Sequence, residues 1–183
     1  MEALSRTLAR LQWFAAVLAL VPLAVSAQVA TEATVKAAFL HKFAGYVEWP
    51  ANAFPSPDTP VVIGIAGSEE VAAELEKLVP GRNVNGRSVI VRRVRDADAM
   101  RGVHILFVGR GEGGARVLTR AAHQHGALMV TEVERGLELG AVINFVPAED
   151  RISFEVSLDS AERSGLRISS RMLTVARRVV PRS

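Results

Sequence analysis

Apolar residues recur along the chain in two rhythms. From Glu32 to Tyr46, Val35, Phe39 and Phe43 fall four apart, Val47 extends the series, and Leu40 and Ala44 sit beside them, so one face of a helix is apolar. Thr31 is placed to cap it. The runs Val61 to Ala66, Val103 to Val108 and Ala127 to Thr131 are instead strongly apolar and rich in β-branched residues. Such runs suit strands buried on both faces. Between them lie a helix after Ser68 carrying Val71, Leu75 and Leu78, and another from Gly114 to His125 carrying Val117, Leu118 and Ala121. Asn85-Gly86 predicts a tight turn into a strand over Ser88 to Val94. This alternation predicts a single α/β domain whose largely parallel, Rossmann-like sheet has helices on both faces. The last third changes character. Ala141 to Val146 and Arg151 to Ser157 predict an antiparallel hairpin turning at Pro147 to Asp150, with Ile152, Phe154 and Val156 on one face. Met172, Val175, Ala176 and Val179 then predict a C-terminal helix over Ser169 to Val180. The Pro-rich stretch from Pro50 to Pro60 forces an irregular connection.

The N-terminus has a different grammar. Arg6 and Arg10 precede an apolar run of 13 residues, Trp13 to Val25, and Val25-Ser26-Ala27 supplies small residues for cleavage. That is the pattern of a signal peptide over residues 1–27. A membrane span needs ~20 apolar residues, and Pro22 would break such a helix. Without a twin-arginine pair, Sec-type export is the simpler route. Removing 27 of the 183 residues leaves a domain of 156, residues 28–183, and lowers the net charge from +3 to +2. The basic residues are 19 Arg against 3 Lys, usage that fits a bacterium and hence a periplasm.

Composition then excludes some chemistry. The chain has no cysteine, so disulfides, Cys-ligated metals and thiol nucleophiles are ruled out. A charge this small does not support nucleic-acid binding. Arg92, Arg93 and Arg95, and later Arg171, Arg177, Arg178 and Arg182, form clusters better suited to an anionic membrane surface or to solvent. His41 and His104 are isolated, and His123 and His125 stand about 200° apart on a helix, which does not chelate a metal and reads as a surface helix end. No Gly-x-Ser-x-Gly or ordered triad stands out, so the reading is non-catalytic and without a cofactor. Gly109-Arg110-Gly111-Glu112-Gly113-Gly114 matches a dinucleotide fingerprint, with Gly109, Gly111 and Gly114 as candidate ligand-binding residues. A small-ligand or nucleotide-binding protein using this turn is therefore the alternative reading. The polar and aromatic residues near turns are harder to place. Tyr46, Glu48 and Trp49 follow the first helix, and Asn144-Phe145 and Phe154-Glu155 lie in the hairpin. Core packing with a partner-facing rim divides them best.

At these residues the chain resembles the YfiR family of small periplasmic proteins. The likeness begins at Val35-Lys36-Ala37-Ala38-Phe39-Leu40 and runs through Phe43, Val47-Glu48-Trp49-Pro50 and Ile105-Leu106-Phe107. It is densest at Gly140 to Phe145 and Ile152 to Leu158, and continues through Ala161, Ser164 to Ser170 and Leu173 to Ala176. The resemblance implies a regulator that binds the periplasmic sensor region of an inner-membrane diguanylate cyclase and represses it, lowering cyclic-di-GMP and biofilm formation. It implies Glu155, Asp159, Asn144 and Trp49 as partner-binding residues, with Glu155 foremost. A second copy of the chain and an anionic membrane surface are further candidate partners. Studied family members carry cysteines tied to redox control; this chain has none, so its input must arrive by another route.

Overall fold

A computed structural model describes residues 31–148 and 151–182. The leader reading therefore lies outside the described residues. Helix α1 (Glu32–Ala44) starts where expected, with the Thr34 N–H donating to the Thr31 hydroxyl at 3.2 Å. After it come β1 (Val47–Glu48), a 3-10 turn (Ala51–Ala53), β2 (Val61–Ala66), α2 (Glu69–Leu78), β3 (Asn83–Val84) and β4 (Arg87–Arg93). A second 3-10 turn (Asp98–Met100) leads into β5 (Ile105–Val108), α3 (Ala115–Gln124) and β6 (Leu128–Thr131). The chain closes with β7 (Ile143–Ala148), β8 (Arg151–Ser157), α4 (Leu158–Arg163), β9 (Arg167–Ile168), α5 (Ser170–Val175) and β10 (Arg178–Val180). Ser68 occupies the N-cap of α2, although its hydroxyl makes no capping bond.

Eight strands form one sheet in the order β10-β8-β7-β6-β5-β2-β4-β3. Its central five, β4-β2-β5-β6-β7, are parallel neighbours. That is the 2-1-3-4-5 order of a doubly wound flavodoxin-like sheet. Every residue of β2, β5 and β6 is buried, which is why those segments read as unbroken apolar runs. One core packs α1, α2 and α5 on the first face, and a second packs α3 and the turn around Met100 on the other. At the β3–β4 hairpin, Asn85 and Gly86 have φ of 50° and 81°. A two-residue type I′ turn requires positive φ at both positions.

The last third holds the surprises. The hairpin of β7 and β8 pairs Asn144 with Glu155 and Phe145 with Phe154, as an antiparallel unit should. Pro147 and Ala148, expected in the turn, instead extend β7 opposite Ile152 and Arg151. Proline is tolerated there because β6 pairs with β7 only as far as Asn144, so no third strand needs its missing N–H. The expected C-terminal helix stops at Val175. Arg178 to Val180 run as a strand parallel to Glu155, Val156 and Ser157. The exposed edge of β8 offers ladder partners to β-branched Val179 and Val180, and the Arg178–Glu155 ion pair selects that register. Phe154 is 2% exposed and meets Phe43 edge-on at 5.1 Å and Phe39 at 5.5 Å. Phe154→Ala is expected to lower the unfolding free energy by about 3–5 kcal/mol. Arg171→Ala, at an exposed position, should stay within about 0.5 kcal/mol. Urea melts of the two variants check the contrast.

Candidate functional site

The ends of β5 and β6 lie side by side and meet the start of β7 at Asn144, and a polar cluster is built around this point. Lys36 projects from α1 with its side chain only 6% exposed and bonds both Glu32, one turn back, and Glu132, directly after β6. Glu132 is itself 9% exposed. The cation lowers the Glu32 carboxyl below the usual carboxylate range, chiefly by hydrogen bonding. Arg110, just after β5, lies over the end of β6, its Nε 3.4 Å from the Glu132 carbonyl. Asn144 is buried beneath the turns of residues 133–140, where its amide nitrogen donates to the carbonyls of Thr131 (3.2 Å) and Val133 (3.3 Å). A Cβ at Gly136 would stand 2.4 Å from the Thr131 methyl and 2.5 Å from the Asn144 side-chain amide, so only glycine lets the loop sit this low. Beside this strut, Glu155 and Arg178 form a two-pronged ion pair at 2.9 and 2.8 Å that ties β10 to β8. Arg110, Glu132, Glu134, Asn144, Glu155 and Arg178 all line one cavity of about 500 Å³.

A second concavity, of about 660 Å³, runs between α1, the hairpin and α5. Phe39, Pro147, Ile152 and Val175 line it, with Arg151 and Arg177 as its charged residues. Phe39 also lines a shallower hollow of about 280 Å³ with Val35, Ala38 and Lys42. Among the described residues, neither hollow has a carboxylate in its lining. Val175 is 66% exposed, an unusual place for a β-branched apolar side chain.

The residues singled out from sequence are therefore dispersed. Glu155 and Asn144 share a cavity, where Asn144 is 5% exposed and braces a loop. Glu155 is mostly shielded and spent on Arg178. Asp159 lies in the first turn of α4 and pairs with Arg163. Trp49 is half-buried, edge-on to Phe54 at 5.8 Å and packed on the first core. In the glycine-rich turn, a Cβ at Gly109 would meet the Gly67 carbonyl at 2.6 Å, so the loops after β5 and β2 touch. That junction of first and third strands is where such sheets open a ligand crevice. Here Glu112 lies against Gly67, and its carboxylate accepts the Gly114 N–H at 2.9 Å.

Sequence reasoning missed several residues. Lys36 carried a readable signal, a rare lysine one helical turn from Glu32 inside an apolar stretch. His123 is not at a free helix end: its Nδ1 faces the Ser164 hydroxyl at 2.7 Å and its Nε2 the Gly140 carbonyl at 2.9 Å. Those partners lie 41 and 17 residues away, beyond any local pattern. Lys36→Met leaves the Glu132 carboxylate shielded without its cation and is expected to destabilise the fold by about 3–5 kcal/mol. Adding Glu132→Leu should recover most of that loss, and a double-mutant cycle in urea reads the coupling.

A family model described as YfiR/HmsC-like matches residues 33–177. No curated protein matches the chain. Among solved structures, a conserved domain protein from Vibrio cholerae O1 biovar El Tor is similar at 12% identity with a TM-score of 0.45. The match covers 64% of this chain and 54% of that one, so it spans just over half of that protein's length.

Proposed function

The chain belongs to the YfiR/HmsC-like family, and from that membership we propose that it is a non-catalytic periplasmic protein that binds the sensor region of an inner-membrane diguanylate cyclase and holds the enzyme inactive. Residues 1–27 direct its export. The observation that supports a binding role most directly is the groove of Phe39, Ile152 and exposed Val175, with Lys42, Arg151 and Arg177 around it. An apolar floor supplies anchoring area, while surrounding cations select the partner and its orientation.

Repression of this kind is a difference in affinity. The protein binds the inactive state of the cyclase more tightly than the active one, and whatever loosens the complex releases the enzyme. Moving a two-state partner from mostly active to mostly inactive takes about 10⁴-fold preference, or about 5.5 kcal/mol. A few buried anchors can supply that much. Glu155 lies on β8, which also supplies Ile152 to the groove, and Asp159 lies on α4. In this reading they act through Arg178 and Arg163, which they hold in place.

Deleting the gene should raise cyclic-di-GMP only in cells that carry the cyclase; an unchanged level there rejects the reading. Val175→Glu should weaken capture of the cyclase's periplasmic region by at least about tenfold, since losing one buried anchor is worth about 1.4 kcal/mol or more. Its melting temperature should be unchanged because the side chain is already exposed. Ile90→Glu, on a strand near the far edge of the sheet, should leave binding intact.

A further inference from the structure

Residues 49–60 cross from β1 to β2 as a strap that has almost no ladder of its own. Pro50, Pro55, Pro57 and Pro60 remove four of its N–H donors. Its internal backbone bonds are local, Ala53 to Pro50 and Thr59 to Ser56. Two side chains from the sheet hold it down. Arg87 of β4 donates to the carbonyls of Ser56, Pro57 and Thr59 at 2.7–2.9 Å. His104, directly before β5 and 5% exposed, holds the other end. Its Nδ1 accepts the Val62 N–H at 3.1 Å, so the ring proton is on Nε2 and points at the Ala53 carbonyl, 3.2 Å away. Phe54 lies between the two anchors, stacked on the His104 ring at 4.3 Å with the Arg87 guanidinium 4.2 Å from its other face. Trp49 closes this stack edge-on to His104, and its buried indole N–H finds no acceptor among the described residues.

We propose that His104 is an acid-operated latch: a second proton on its ring releases the Trp49–Pro60 strap from the sheet. Protonated Nδ1 can no longer accept from Val62, and two N–H groups then face each other across 3.1 Å. The surrounding charges do not compensate. Arg87 and Arg92 of β4 both oppose a cation at the ring. Asp58 of the strap is exposed and has no bond to the ring, while Asp98 and Arg101 of the preceding turn are exposed, the Arg101 carbonyl taken by Arg92. Phe54 gives no relief, because Arg87 already occupies its opposite face. Burial holds His104 below its ordinary value of 6.5. The unfolded ring takes its proton first, so stability is intact above 6.5 and is lost as pH falls below it. The strap continues directly from β1, which pairs with β9, and the Ser169 N–H donates to Tyr46 beside it at 2.9 Å. Opening the latch therefore bears on the segment that carries α5 and Val175. The latch itself stands on this geometry alone, whichever partner the protein has.

Acrylamide quenching of the purified full-length protein tests it, with Trp13→Phe so that emission reports Trp49. Between about pH 7.5 and about pH 4.5 the quenching constant should rise several-fold in a single-proton step with its midpoint below 6.5, while far-UV circular dichroism is unchanged. His104→Asn, whose side-chain oxygen still accepts from Val62, should abolish the step. His41→Asn and His123→Asn should keep it. A flat wild-type profile, or a step that survives His104→Asn, overturns the proposal. Should that variant not fold, imidazole ¹⁵N shifts of the wild type decide: His104 and the Trp49 indole must titrate together, and separate midpoints overturn the latch equally.

Discussion

Five of the chain's seven phenylalanines meet in one knot, and the architecture hangs on it. Phe39 and Phe43 come from α1, Phe107 from the parallel sheet, and Phe145 and Phe154 from the two strands of the hairpin, with ring centroids 5.1–6.0 Å apart. Each ring buries a large apolar area and the edge-on pairs add direction to it. The knot is what makes the antiparallel hairpin a continuation of the parallel sheet and not a separate flap. It also seats α1 deep enough that Lys36 is buried at the strand ends and Phe39 becomes a wall of the apolar groove.

Burial changes what each ion pair can do. Arg93 with Glu69 and Glu76 makes a well-formed but exposed network, and such pairs contribute little net stability. Lys36 between Glu32 and Glu132 is shielded, so its partners cannot be removed without leaving a charge stranded. Glu155 with Arg178 lies between these cases and serves register, holding a short strand at an edge that would otherwise be open. A protein built this way uses polar groups to fix shape. That is consistent with a family of regulators, in which the fold presents a surface.

Much of the architecture was legible in local pattern. The continuous apolar runs marked the strands that are buried on both faces, the four-residue spacing marked α1, and Asn85-Gly86 marked its hairpin. Pattern misled where two structures share one signature. Met172, Val175, Ala176 and Val179 satisfy a helical period, yet Val179 and Val180 are also good strand formers. The unfilled edge of β8 decided between them. For the candidate site the sequence located Asn144 and Glu155 as polar residues among strand apolars, but could not say whether they faced a partner or each other's elements. The structure sets the Asn144 amide against the carbonyls of Thr131 and Val133 and pairs Glu155 with Arg178.

Residue identity and short-range spacing were enough for the continuity of the core strands, the first three helices, the β7–β8 hairpin, the lack of cysteine and the family likeness. Long-range packing was needed to bring Lys36 to Glu132, to join β10 to the sheet, to seat the glycine-rich turn against Gly67 and to set His104 against a proline-rich strap. Each of these joins groups that lie far apart in the chain, from 23 residues for Arg178 and Glu155 to 96 for Lys36 and Glu132. Hydrophobic periodicity carries no address for such partners. Their geometry exists only once the strands are stacked and the neighbouring atoms have displaced water.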